Sequence, residues 1–268
     1  MNSKIKNKTV SVIIAAAGTS TRFSDSKDKL KQFINLQDKP LLYYSLERFS
    51  ALKNIVEIII VTNDIELTNK QLTSINAFKR YENIKVIQGA ALRQDSVYNG
   101  FCNVNISTDL VLIHDVARPL FNSDDVTKCI EIAFEKGSAI LAIPNVDTLK
   151  KAEYHNDDLV VDNTIERSNI YLIQTPQVFT YKLLERAYNK IYKGGAANLK
   201  RENSFTDEAS MIELLGERVN LILGSRKNIK ITYPEDLEIA EMILKSMGLN
   251  SRINERNELN AYNQTCQM

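Results

Sequence analysis

Two histidines, His114 and His155, are all that the 268-residue sequence contains, and their scarcity removes whole chemistries. No Cys/His cluster has the spacing of a zinc site. A Ser-His-Asp hydrolase would need one of the two as its base, and no G-x-S-x-G elbow accompanies either. Cysteine is equally sparse. Cys102, Cys129 and Cys266 are scattered and odd in number, which argues against a disulfide framework and for a reducing cytoplasm. No apolar run approaches the roughly 20 residues of a membrane span. The N-terminal MNSKIKNKTV is polar and lacks the apolar centre of a signal peptide. The formal net charge is only +1, so no global field draws the chain to nucleic acid or to an anionic membrane. Local clusters of Lys and Arg must do any anion binding.

What is present is an ordinary globular composition, 44% hydrophobic and 25% charged, with one stretch that stands out. Residues 10–32 read VSVIIAAAGTSTRFSDSKDKLKQ. The β-branched run fits a buried parallel strand. The small residues Ala15, Ala16, Ala17 and Gly18 let a backbone approach a ligand, and Gly18 tolerates dihedrals other residues avoid. The polar loop that follows carries Arg22, Lys29 and Lys31. Backbone N–H groups with nearby cations make a cradle for a polyphosphate. The pattern is neither a GxxxxGK[ST] loop nor a GxGxxG fingerprint. On its own it fits a nucleotide loop or a plain strand-to-loop turn.

Strand-like and helix-like segments then alternate. Strands are expected at 10–16, 55–62, 84–88, 110–114, 139–143 and 219–223. Helices are expected at 41–51 (with Pro40 suited to the first helical position), 65–78, 95–104, 124–136 (capped by Ser123), 182–191, 207–215 and 234–246. This βαβ rhythm implies an α/β fold, a Rossmann-like, mostly parallel sheet with helices on both faces. Its ligands sit at the carboxyl ends of the strands, where the loops at Gly18, Gly89, His114 and Pro144 lie. The pattern breaks between about 145 and 178, where short strand-like pieces (VDTLKKAE, LVVDNTIE, YLIQ) resemble a β-arm projecting from the sheet. Residues 1–248 read as one domain with that arm, and 249–268 as a polar, frayed C-terminal tail.

Three further motifs fall at strand ends. GAALRQDSVYNG (89–100) is either a second ligand edge, with Ser96 and backbone groups against a base or ribose, or a helix start with its capping residues. HDVARP (114–119) places a carboxylate where a metal or a substrate hydroxyl could meet it, and Arg118 could hold a phosphate; the alternative is a structural Asp115–Arg118 pair. His114 reads as structural rather than catalytic. Arg167, QTPQ (174–177) and NIKIT (228–232) complete the polar set. Lys230 alternates with Ile229 and Ile231, so in extended chain it points away from both, to solvent or to a ligand.

In order, AAAGxxxR…KQ, GxxxRxxSV, HDxxRP, DT, R…TPQ, TDEAS and NIKxTxPEDL resemble the 2-C-methyl-D-erythritol 4-phosphate cytidylyltransferase family from about Val10 to Lys245. Ribitol-5-phosphate cytidylyltransferases share most of the pattern. The resemblance implies transfer of a cytidylyl group from CTP to methylerythritol 4-phosphate with release of pyrophosphate, in non-mevalonate isoprenoid synthesis, with Mg²⁺ as cofactor. It implies that Arg22 and Lys31 grip the triphosphate and, with Lys230, carry catalysis. Ala16, Ala17, Gly18, Gly89, Ser96 and Asp115 would bind nucleotide. Asp115, Arg118, Thr175 and Lys230 would contact the polyol phosphate, and Asp115 would face the metal unless the CTP phosphates hold it. It further implies a homodimer in which the arm carries Thr148 and Arg167 to the partner's acceptor. The alternatives are a ribitol 5-phosphate or other polyol-phosphate cytidylyltransferase, and a silent nucleotide-binding protein. Three departures from the family pattern bear on these: Ser20 in place of a glycine, Leu30 in place of the proline before KQ, and Ala90 in place of a second glycine near the base.

Overall fold

The computed structural model describes residues 7–18, 33–77, 83–193 and 205–248. Strand β1 (Val10–Ala16) is followed by a two-residue hairpin, β2 (Asn35–Leu36) and β3 (Lys39–Pro40), and helix α1 (Leu41–Ser50). Then come β4 (Ile55–Thr62), α2 (Ile65–Ser74), β5 (Ile84–Gln88), α3 (Arg93–Phe101), β6 (Leu110–Asp115), α4 (Ser123–Lys136) and β7 (Ser138–Pro144). An antiparallel hairpin, β8 (Leu149–His155) and β9 (Asp158–Ile165), precedes β10 (Tyr171–Thr180). The chain continues through α5 (Tyr181–Tyr188), a π-helical turn (Asn189–Lys193), α6 (Glu208–Glu213), β11 (Asn220–Leu223) and a helix over 235–248.

Seven strands form one sheet in the order β11-β7-β10-β6-β1-β4-β5. Every pairing is parallel except those of β10, which runs antiparallel to both β6 and β7. The apolar runs work because a strand's side chains alternate between faces. Val12, Ile14, Ile58, Ile60, Leu110 and Leu112 point to the face covered by α1, α2 and α4. Ile13, Ile59, Val61, Val111 and Ile113 point to the face covered by α3, α5 and α6. A strand buried on both faces has no polar stripe, which is why IVEIIIVT shows no alternation.

Local chemistry sets the boundaries. Asp64 caps α2 by accepting from the Leu67 N–H at 2.8 Å, and Asp207 caps α6 by accepting from Ser210. Asn122, not Ser123, caps α4: its carbonyl accepts from the Asp124 N–H at 2.8 Å, and Ser123 is the first helical residue. Pro40 is likewise one position earlier than expected. Its ψ of 151° makes it the cap of α1 and the end of β3. Gly137 closes α4 at a φ of +94°, where a side chain is strained.

The arm differs from expectation in extent. The hairpin β8–β9 is exposed along nearly its whole length. β10 then leaves the arm and enters the sheet between β6 and β7, with Gln174 to Phe179 buried. Its direction follows from the hairpin, which hands the chain back pointing down. The strand-like YLIQ (171–174) is only the start of this central strand, which continues through the polar stretch Gln174–Gln177. The tail at 249–268 lies outside the described residues, and among the described ones no helix is long and apolar enough to cross a membrane.

Candidate active site

The carboxyl ends of β1, β4, β5 and β6 and the bulged middle of β10 converge on Asp115. This last residue of β6 is 8% exposed. Its backbone N–H donates to the Thr175 hydroxyl at 3.0 Å. Thr175 reaches it because the β10–β7 register slips between Ile173 and Gln177, and such a bulge re-aims a side chain. The carboxylate then meets two cations. Arg93 Nε donates to Oδ1 at 3.1 Å, and Lys230 Nζ donates to Oδ2 at 2.7 Å. Burial pushes the carboxyl up, but Arg93 and Lys230 outweigh burial and hold it well below the ordinary carboxylate range.

Arg93 is the first residue of α3. Its Nη1 lies 3.1 Å from both oxygens of Glu208, which is fully buried. Burial disfavours the Arg93 charge, yet Glu208 and Asp115 together keep it protonated at any pH a protein survives. Both residues sit inside motifs quoted from the sequence, GxxxRxxSV and TDEAS, but neither was given a role there. Nothing in a single sequence says that positions 115 residues apart meet.

Lys230 is placed by a loop rather than a strand. The Ile231 N–H donates to the Ala117 carbonyl at 2.8 Å, and Ile231 is buried. Lys230 therefore turns the other way, as alternation predicts, with its side chain 46% exposed and its ammonium on Asp115. Arg118 braces the same loop: Nη1 donates to the Asn228 carbonyl at 2.9 Å and Nη2 to the Ile173 carbonyl at 3.2 Å. This corrects the picture of an Asp115–Arg118 pair. Asp115 has other partners, and Arg118 is tied to backbone, with one further N–H on each Nη left for a ligand.

The small-residue loops pack on one another. A Cβ added to Gly89 would lie 2.4 Å from the Ala17 Cβ, so the glycine lets the β5 loop close on the end of β1. Asn63 adds an amide hydrogen bond to the Ala17 carbonyl. Gly18 has a different reason from the one expected. Its φ is outside the left-handed region and a Cβ there would meet nothing within 4 Å, so it borders open space. The Ser96 hydroxyl accepts from the Ala90 N–H at 2.9 Å and lies 3.1 Å from the Ala90 carbonyl, fastening the loop after Gly89. Ala16, Ala17, Gly18 and Gly89 thus form one lip beside Asp115.

His114 is buried as expected. Phe49 and Phe121 pack edge-on against its ring, and Nδ1 lies 3.1 Å from Thr175 Oγ1. Burial lowers its pKa to about 3. Thr148 and Arg167 lie at the root of the arm, exposed, and Arg167 donates to the Val146 carbonyl at 2.5 Å. No hydrogen bond or ion pair among the described residues joins them to the Asp115 cluster. Arg22 and Lys31, with Ser20 and Leu30, lie outside the described residues.

A Mg²⁺ cage does not fit this set. Both Asp115 oxygens are held by cations, Glu208 faces Arg93, and no group of three or more acidic, His or Cys side chains among the described residues could ligate a metal. The expected metal contact of Asp115 would require those cations to leave.

A family model described as IspD, 2-C-methyl-D-erythritol 4-phosphate cytidylyltransferase, matches residues 10–246. The 2-C-methyl-D-erythritol 4-phosphate cytidylyltransferase of Alkaliphilus oremlandii is 39% identical over 88% of this chain and 95% of that protein. Its namesake from Clostridioides difficile is 36% identical over 93% of this chain and 99% of that protein. The crystal structure of the 4-diphosphocytidyl-2C-methyl-D-erythritol synthase from Anaerococcus prevotii superposes with a TM-score of 0.73 at 29% identity, over 91% of this chain and 100% of that one. Since the match takes in the sheet, the arm and every residue around Asp115, the chain belongs to the 2-C-methyl-D-erythritol 4-phosphate cytidylyltransferase family.

Proposed function

We propose that the protein transfers the cytidylyl group of CTP to 2-C-methyl-D-erythritol 4-phosphate. A phosphate oxygen of the acceptor attacks the α-phosphorus of CTP. The bond from that phosphorus to the β-phosphate oxygen breaks, and pyrophosphate leaves with 4-diphosphocytidyl-2-C-methyl-D-erythritol as the other product. The observation that carries this reading is the Arg93–Asp115–Lys230 cluster, set beside the Ala17–Gly89 lip at the carboxyl ends of the strands.

The chemistry suits a site without a base. A phosphate monoester has its second pKa near 6, so the nucleophile is largely ionised at neutral pH. His114 is sealed in the core and neutral there. What remains is to bring two anions together and stabilise charge on the transferred phosphorus, which is positioning and electrostatic work. In this reading the backbone at Ala16, Ala17, Gly18 and Gly89 receives the nucleotide, with Ser96 shaping the base edge. Arg22 and Lys31 grip the triphosphate. Asp115 and Thr175 orient the acceptor's hydroxyl end, Lys230 swings from Asp115 to the reacting phosphate, and Arg118 holds the Lys230 loop and adds a donor. Mg²⁺ comes with the nucleotide phosphates, and no protein group here is assigned to it.

The arm supports a homodimer. Tyr154, Leu159 and Val161 are 76%, 64% and 55% exposed on it, an apolar patch that a monomer rarely leaves bare. In such a dimer Thr148 and Arg167 meet the partner's acceptor phosphate. Cys102 and Cys129 are unbridged, in keeping with a cytoplasmic site of action.

Pyrophosphate release from CTP and Mg²⁺ with either acceptor tests the reading. Fast release with methylerythritol 4-phosphate alone is expected. Release with ribitol 5-phosphate alone would reassign the acceptor, and CTP binding without release on either would make the protein a silent nucleotide binder.

A further inference from the structure

Glu208 is a fully buried carboxylate whose two oxygens are both met by Arg93. A buried ion pair is a weak source of stability, and apolar replacements of similar volume are often neutral or better. The need to fold therefore does not account for the pair. Its geometry does. The guanidinium uses Nη1 on Glu208 and both Nε and Nη2 on Asp115, so all three nitrogens of a planar group are fixed at once. Glu208 is itself held in place. Its neighbour Asp207 caps α6 and accepts from the Gln177 amide of β10 at 2.9 Å.

We propose that Arg93 is a positioning residue of this site: locked by Glu208, it fixes the Asp115 carboxylate so that one oxygen is turned to Lys230 and the acceptor. The proposal rests on the transferase reading above. It assigns α6 and α3 a part in the reaction although neither Arg93 nor Glu208 touches a substrate. By contrast with Glu57 at the other end of the sheet, no neutral group donates to either Asp115 oxygen among the described residues. Asp115 is held by cations alone, and Arg93 is the one of them that cannot swing away.

The groups that face this carboxylate are Arg93 from α3, Lys230 and Arg118 from loops, His114 from β6 and the Glu208 carboxyl of α6, with Asp207 next to Glu208. A misplaced Asp115 slows the reaction in protein that is fully folded, so kcat falls while the KM for CTP stays. A role confined to folding lowers the urea midpoint and leaves both constants of the folded fraction unchanged.

The test is the paired variant Arg93→Met with Glu208→Leu, which leaves neither partner charged and alone. The expected result is a folded protein with kcat/KM down by about 10²-fold, the scale of misplacing a reacting group by an ångström. The loss lies in kcat, with the KM for CTP unchanged. A folded pair variant with kcat/KM within threefold of the parent overturns the proposal. Should the pair variant not fold, Arg93→Lys decides. It keeps the charge but lacks the fork, so about a tenfold loss of kcat/KM with the fold intact is expected, and unchanged turnover overturns the proposal. A parent inactive on both acceptors would defeat the transferase reading alone. The brace is then read without turnover from the ¹³C carboxyl resonance of Asp115, expected to be single and sharp in the parent and broadened in the folded pair variant; an unchanged line overturns the brace.

Discussion

The two ends of the sheet each bury a carboxylate next to a lysine, and they use it in opposite ways. At the amino end, Glu57 accepts from the Ser11 hydroxyl at 2.6 Å, the Asn105 N–H at 2.7 Å and Lys85 at 3.0 Å. Two of its three donors are neutral, so the group is saturated and ties the starts of β1, β4 and β5 to the loop after α3. At the carboxyl end, among the described residues, the Asp115 carboxylate is held only by Arg93 and Lys230. A cation on a carboxylate can be shared with an arriving phosphate, whereas a hydroxyl or amide already committed to a strand cannot. The same ingredients therefore make a structural knot below and a loaded anion site above.

The comparison breaks most readily at Lys230. Lys230→Ala removes a donor aimed at developing charge, and kcat/KM should fall by about 10²–10³-fold. The half-exposed ammonium contributes little to folding, so the urea midpoint should barely move. Glu57→Ala should do the reverse. It leaves buried donors unmet and should destabilise the fold by about 2–3 kcal/mol in urea titration, with kcat/KM of the folded fraction unchanged.

pH sharpens the same contrast. Burial raises the Glu57 carboxyl, but its hydrogen bonds from Ser11, Asn105 and Lys85 outweigh that and hold it low. A depressed carboxyl adds stability above its unfolded pKa and loses it as pH falls through the folded value, so the knot weakens only in acid. His114 acts earlier. Its pKa falls from 6.5 unfolded to about 3 folded, so the unfolded chain takes up the proton first. Stability should drop below pH 6.5 by up to about 1.4 kcal/mol per unit, and His114→Gln should flatten that slope in denaturation curves recorded from pH 7 to 4.

The strands were plain in the sequence. The expected bounds of β1, β4 and β5 coincide with those found: the β-branched runs of β1 and β4 are buried on both faces, and β5, a short half-buried edge strand, is closed by Gly89. Helix ends were less legible. α2 stops at Ser74 with a turn at Ile75 and Asn76, residue 78 lying outside the described residues, and caps moved by one residue at Pro40 and Asn122. Of β10 only the first four residues, YLIQ, show as strand in the sequence, because Gln174, Thr175 and Gln177 break the apolar pattern: their side chains meet Asn228, Asp115 and Asp207 instead of the core. In the site, Asp115 and Gly89 stand out at strand ends and Thr175 and Lys230 through the family resemblance, and the fold brings Thr175 and Lys230 onto Asp115. Arg93 and Glu208 could not be given roles, because their meaning lies in a contact between helices on one face of the sheet.

The most direct measurement is kcat/KM of Asp115→Asn with CTP and methylerythritol 4-phosphate. That change removes the charge which orders Arg93 and Lys230 while keeping the side chain's shape. A folded Asp115→Asn protein slowed by about 10²-fold or more is the predicted result. A folded variant within threefold of the parent would mean that the cation-bound carboxylate is not where the transfer takes place.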